Sequence, residues 1–252
     1  MIKSFFIALG LLTRIPVPKV FYVKENDSEK LSGQSVLFYP LVGLIIGGLL
    51  LLLSTITNYL PIPLDSLLVA ALILALWVLL TGALHLDGLA DSADAWLGGY
   101  GDKQRTLEIM KDPYSGPAAV VILLVILLLK FSAIINVSWQ ILLLTPVLGR
   151  TAAMLLLATT PYVRKGGLGE AAANTLSVKM VWFIALVVLI LTVYLLGKAS
   201  LALVVVFLVG YLCRNMMLNR IGGITGDTIG ALIEIIEVIS LISIILVTNI
   251  VS

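Results

Sequence analysis

The chain holds one cysteine and one histidine in 252 residues, and only 12% of it is charged. Each scarcity excludes something. A lone Cys213 rules out an internal disulfide framework and reads as a small apolar helix residue. A soluble domain is about one-quarter charged, so so few charges exclude an ordinary soluble fold. The formal net charge of +2 says little by itself. What is abundant is apolar surface: 60% of the residues are hydrophobic. Apolar runs of about 20 residues recur, the length that crosses the hydrocarbon core of a bilayer. The expectation is an all-α polytopic membrane bundle forming a single domain over residues 1–252.

Seven spans are expected: Val36–Thr57, Leu64–Leu84, Pro117–Asn136, Ile141–Thr159, Lys179–Leu196, Leu201–Leu218 and Thr228–Val251. The first apolar run, FFIALGLL, is short and is followed by Arg14, Pro16 and Pro18 instead of a cleavage site. It reads as an N-terminal interfacial or re-entrant helix. Phe21–Gly33 reads as a polar loop, and there is no convincing repeat.

Basic residues in short loops favour the cytoplasm. With the N-terminus cytoplasmic, 13 of the 16 lysines and arginines fall on that side. Lys130 and Lys198 are expected at the opposite surface, with Arg150 inside a span. The cytoplasmic loops are long and polar. Opposite connections such as NYLPIP and GKAS are short and nearly uncharged. The polar side is therefore where chemistry or binding belongs.

Three polar clusters stand on that side. The first is HLDGLADSADAWLGG, His85–Gly99. Asp87, Asp91 and Asp94 are spaced by four and then three residues, which puts them on one helix face. Like charges on one stripe repel unless a cation sits there, and their oxygens suit a hard divalent ion such as Mg²⁺. Gly88, Ala90, Ala93 and Ala95 leave room for a bulky substrate. His85 points away from the aspartate face and is a substrate-binding candidate.

The second cluster, Gly99–Gly116, offers Arg105 and Lys111 for phosphate and Asp112 as a further metal ligand. An ordinary amphipathic surface helix explains it equally well. The third, Asn219–Glu237, runs from a glycine-rich turn into a helix. Gly222, Gly223, Thr225 and Gly226 are candidates to cradle an anion, and Asp227 is either an N-cap or a functional acid. Glu234 and Glu237 follow on the same face; acids inside an apolar span are costly and meet metal, arginine or substrate. Arg150 is the obvious buried cation to pair with one of them.

Together these are the parts for phosphoryl or nucleotidyl transfer. Spaced aspartates serve prenyl transfer from a diphosphate equally well, and residue chemistry alone does not separate the two.

Six segments go further. LTRIPVP (Leu12–Pro18), FYPLVGLIIG (Phe38–Gly47), TGALHLDGLADSADAWLGG (Thr81–Gly99), LEIMKD (Leu107–Asp112), Gly149–Arg150 and GGITGDTIGALIEIIE (Gly222–Glu237) resemble the cobalamin synthase family of adenosylcobinamide-GDP ribazoletransferases. The resemblance runs along essentially the whole chain. It implies a multi-pass enzyme of the cytoplasmic membrane that requires Mg²⁺. Such enzymes join adenosylcobinamide-GDP to α-ribazole or its 5′-phosphate, release GMP and form adenosylcobalamin or its 5′-phosphate. By that likeness, Mg²⁺ on Asp87, Asp91 and Asp94 bridges the diphosphate. One of these, or Asp227, takes the hydroxyl proton. Arg14, Arg105, Lys111 and Arg150 face the diphosphate or leaving group. Membrane lipid is the surrounding partner, nucleic acid is not one, and a homo-oligomer or contacts with other enzymes of the pathway are compatible.

One stretch departs from the pattern. After MKD, the family has a segment like SRIG followed by a phenylalanine–glycine pair, whereas this chain has PYSGPAA, Pro113–Ala119. A phosphate contact expected there loses its basic residue. The competing readings fit less well. A polytopic prenyltransferase carries two aspartate-rich motifs, a lipid alcohol phosphotransferase a denser acidic motif with arginine, and a transporter spreads polar residues through its spans.

Overall fold

The computed structural model describes residues 1–21, 28–135, 137–164 and 168–251. Lys24, Lys165 and Asn136, used above for orientation or a span end, lie outside them. Among the described residues the only pairing outside helices is one isolated parallel bridge, Tyr162 with Ile224.

The short apolar helix at the N-terminus is present as α1 (Ile2–Leu12). Part of the expected polar loop is instead helical, as α2 (Ser28–Val36). It packs on another polar helix, α9 (Leu168–Thr175), where the Thr175 hydroxyl donates to the Glu29 carbonyl at 2.8 Å.

The bundle proper starts with α3 (Tyr39–Asn58), which lies against α8 (Trp139–Thr159). Gly43 and Gly47 sit four residues apart on the facing side. A Cβ on Gly43 would stand 2.5 Å from the Pro146 carbonyl oxygen, and one on Gly47 would strike the Leu143 carbonyl. Small residues at this spacing let two helix backbones touch, the usual device for helix association in lipid.

Helix α4 (Ser66–Thr81) starts on an Asp65 cap and stops short of the expected span end. Gly82 and Ala83 are both left-handed, with φ of +59° and +58°, and the chain turns by 84° into α5 (Leu84–Gly98). Glycine takes that conformation freely; Ala83 pays roughly 1–2 kcal/mol for it. Helix α6 (Lys103–Ile109) follows, and α7 (Pro117–Ile134) crosses back. The last helices are α10 (Val178–Leu196), α11 (Leu203–Ile221) and α12 (Gly226–Val251).

Among the described residues five helices are long and apolar enough to cross a membrane, or six with the bent pair, against the seven expected. Two features account for the difference. Val178–Ile221 enters as one apolar stretch of 44 residues, although Gly197 interrupts it between α10 and α11. And α5, with three aspartates, is no continuation of a straight span. Helices α8 and α12 form the buried centre; α10 and α11 expose most of their apolar surface, as lipid-facing helices do.

Candidate active site

Helices α5 and α12 cross at two glycines. A Cβ on Gly88 would lie 2.7 Å from the Asp227 carbonyl oxygen, and one on Gly230 would lie 3.2 Å from the His85 Cα. Their absence of side chains brings the acids of both helices to one end of the bundle. Asp91 interacts electrostatically with Asp87, Asp94 and Asp227, and Asp227 with Asp87. Asp87 is exposed; Asp91 and Asp227 are half-buried.

Asp94 has other work. The Gly116 N–H donates to its Oδ2 at 2.5 Å and the Ala119 N–H to its Oδ1 at 3.0 Å. It therefore caps α7 from a neighbouring helix, satisfying two amides that the first turn leaves free. The capped segment belongs to the stretch that departs from the family pattern, Pro113–Ala119. Each Asp94 oxygen thus already accepts one amide hydrogen bond, a capping role that the spacing of the three aspartates does not reveal.

The glycine-rich turn is also built differently from the expected anion cradle. The Gly222 N–H donates to the Leu218 carbonyl at 2.9 Å, closing α11 with φ of +76°. The Ile224 N–H donates to Pro161 at 2.9 Å, and the Val163 N–H to Ile224 at 2.9 Å. Gly223 presses on the Pro161 carbonyl where any Cβ would clash. The Gly226 N–H is taken by the Tyr162 hydroxyl. Burial holds that phenol above its usual pKa, so it stays neutral. These amides are occupied by the protein, so the turn is a clamp that joins residues 161–163 to the start of α12.

Nor is Asp227 the cap. Thr225 and Thr228 are reciprocal partners: the Thr225 N–H donates to Thr228 Oγ1 at 2.9 Å, and the Thr228 N–H to Thr225 Oγ1 at 3.3 Å. This is the logic of a capping box with a second threonine in place of glutamate. The Asp227 carboxylate takes a hydrogen bond from the Thr225 side chain and pairs with Arg164, whose Nη1 lies 3.2 Å from Asp227 Oδ2. Arg164 also acts on Asp91. It entered the sequence argument only as a loop charge; nothing in its spacing points to a partner 63 residues away.

The other expected site residues lie elsewhere. Glu234 and Glu237, read as metal ligands, are buried with two cations. Lys130 Nζ donates to Glu234 Oε2 at 2.6 Å and to Glu237 Oε2 at 2.5 Å, and Arg150 Nη1 pairs with Glu237 Oε1. Arg150 thus finds the acidic partner expected of it, inside the bundle and away from the aspartates. Lys130 is not at the opposite surface. It is 3% exposed and lies over the Trp77 ring at 4.6 Å. The run around it is apolar, so its interior face is visible only through its partners on α12. His85 is buried towards Arg150 and Lys130, away from the exposed Asp87 as expected. Arg214 and Arg220 are on α11 and not in the loop beyond it. They donate to the Thr159 and Trp96 carbonyls, at 2.6 and 2.7 Å.

On α6 the exposed Arg105 pairs with Glu108 at 3.5 Å, and Lys111 lines a shallow groove with Lys103 and Leu107. Asp112 is exposed and accepts the Tyr114 N–H at 3.1 Å. Arg14 covers Gly82 at the bend, its backbone N–H donating to Leu80 at 2.7 Å.

A helical bundle with several membrane-length helices is a multi-pass membrane protein, and its carboxylate-rich end is its candidate site. The chain belongs to the cobalamin-5-phosphate synthase (CobS) family, whose model matches residues 4–245. It is 48% identical over 236 residues to an adenosylcobinamide-GDP ribazoletransferase of Acinetobacter baumannii, covering 92% of each chain. To enzymes of that name from Pseudomonas putida and Stutzerimonas stutzeri it is 50% and 51% identical over 235 residues. These alignments cover 92% and 91% of this chain and 93% and 92% of the relatives. No solved structure matches it.

Proposed function

We propose that this chain joins adenosylcobinamide-GDP to α-ribazole, or to α-ribazole 5′-phosphate, at the end of the bundle where Asp87, Asp91 and Asp227 meet. A ribazole hydroxyl attacks the phosphate attached to cobinamide. The new O–P bond forms, the bond to GMP breaks, GMP leaves, and the hydroxyl proton passes to a carboxylate. Asp227 is that acceptor; Asp87 and Asp91 hold Mg²⁺.

The donor set fits the ion. Asp87 and Asp91 offer carboxylates and no sulfur or imidazole, which suits a hard cation. Mg²⁺ typically takes one or two carboxylates and leaves its other positions to water and substrate phosphate. Bound there, the ion neutralises charge on the diphosphate. The observation that carries the reading is the excess of negative charge gathered by the Gly88–Gly230 crossing, against which the described residues set the one ion pair to Arg164. The N-terminus and the aspartate end face the cytoplasm of the inner membrane. Lys103 and Arg105 of α6, and Arg214 and Arg220 towards the C-terminal end of α11, support that orientation.

The test is GMP release from adenosylcobinamide-GDP by protein in lipid. It should require α-ribazole and Mg²⁺ and fall by about two to three decades in Asp91→Asn, the scale of losing one charge-stabilising group. Full turnover in that variant would remove Asp91 from the site.

A further inference from the structure

We propose that Arg164 is an exchangeable anion-binding residue: it neutralises Asp227 in the empty site and leaves it to bind the substrate's diphosphate. This rests on the reading of the aspartate end as the transfer site. Four observations carry it. Arg164 is the cation paired with Asp227, at 3.2 Å. Its charge also acts on Asp91 of α5, so it is felt by acids of both helices. Its backbone follows the bridge of residues 161–163 to Ile224, and among the described residues its side chain donates to Asp227. Finally, the pair is open to water.

The last point decides between a strut and a switch. The Arg164 and Asp227 side chains are 42% and 21% exposed, whereas Arg150 and Glu237 are both 0% exposed. A buried pair is costly to break by one partner; a half-exposed one holds its partners weakly. The substrate's diphosphate carries two negative charges, one on each phosphate, and offers Arg164 oxygens it can grip bidentately, which wins over a single half-hydrated carboxylate contact. The other expected phosphate residues are not so placed. Arg150 is committed to Glu237, and Arg105 pairs with Glu108.

Two opposite effects follow from removing the arginine. Without substrate, Arg164→Ala takes a competing cation from the acids, so Mn²⁺ used as a probe should bind about 2- to 5-fold tighter, the worth of an exposed pair. With substrate, the same change removes a charge-assisted contact, so KM for adenosylcobinamide-GDP should rise at least about tenfold. The rise in KM should exceed any fall in kcat. Arg164→Lys should stay close to the unmodified protein in Mn²⁺ affinity and recover part of the KM. The experiment is Mn²⁺ titration of the full chain in detergent, with and without GDP as a diphosphate probe, beside steady-state GMP release. GDP should tighten Mn²⁺ binding in the unmodified protein and do so less in Arg164→Ala. Unchanged Mn²⁺ affinity and unchanged KM in Arg164→Ala would overturn the proposal, as would a fall in kcat alone, the mark of a merely structural residue. If the unmodified protein neither binds Mn²⁺ nor releases GMP, the reading of the site fails and takes this inference with it.

Discussion

Asp227 and Glu237 stand on the same helix, ten residues and so about 15 Å apart along its axis. Glu237 and its neighbour Glu234 meet Lys130 and Arg150, two charges against two, with essentially no exposure. Asp227 shares a repulsive field with Asp87 and Asp91 and is paired with the half-exposed Arg164. The interior set is balanced because lipid and packed side chains offer nothing else to balance it. The end set is left negative, and a fold that tolerates uncompensated repulsion at one place leaves room there for a cation that arrives with a ligand. The two regions use the same residue types for opposite ends: neutrality that locks helices, and imbalance that binds.

The largest effect comes from unbalancing the interior. Arg150→Met leaves Glu237 with Lys130 alone and should destabilise the protein by about 3–5 kcal/mol, read as a lower thermal midpoint in detergent. Arg150→Met with Glu237→Met should recover most of that loss, since a well-packed apolar pair replaces a buried ion pair at little cost. Asp91→Asn at the other region should behave in the reverse sense, with turnover lost and the midpoint unchanged or raised. If Arg150→Met left stability intact, the interior set would not be the lock described.

Asp94 sits on the border between the two regions, and its test is finer. As a cap of α7, it should cost about 1–2 kcal/mol of stability when changed to alanine. Asp94→Asn keeps an acceptor oxygen for the Gly116 or Ala119 amide, and should hold both the fold and most of the turnover. A loss of GMP release in Asp94→Asn as deep as in Asp91→Asn, at unchanged stability, would move Asp94 into the metal-holding set.

Helix periods and charge clustering were enough to find the bundle, most helix ends and the end where the acids gather. They also paired Arg150 with a span glutamate. What they missed depends on contacts between distant residues. Lys130 looks like a surface lysine because its run is apolar on every side; only Glu234 and Glu237, more than a hundred residues on, show that it faces inward. Asp94 looks like the third member of a stripe until the amides of Gly116 and Ala119 close on it. Arg164 has no local partner and reaches Asp227 only through the pairing of residues 161–163 with Ile224. Thr225 was legible after all: a threonine with a second threonine three residues on is a capping signal, and the neighbouring aspartate drew the assignment away. The α4–α5 bend likewise had a sign in Gly82, overlooked because the apolar run continues past it.

The smallest expected effect tests where the negative end stops. Arg105 on α6 and Lys111 in the turn just after it carry the right charge for a diphosphate, yet they stand among acids of their own segment. Arg105 pairs with Glu108 at 3.5 Å with both side chains more than half exposed, a contact of a few tenths of a kcal/mol at most. Arg105→Gln should therefore change stability by less than about 0.5 kcal/mol and KM for adenosylcobinamide-GDP by less than about twofold. The groove that Lys111 shares with Lys103 adjoins Gly222, where a Cβ would stand 2.8 Å from Lys103 Nζ, so α6 reaches the clamp beneath α12. A tenfold rise in KM for Arg105→Gln, at unchanged thermal midpoint, would mean that the guanosine end of the substrate extends over α6. The cationic helix would then belong to the site, and the contrast between a balanced interior and an unbalanced end would become one between the interior and an end whose cations stand a helix away from its acids.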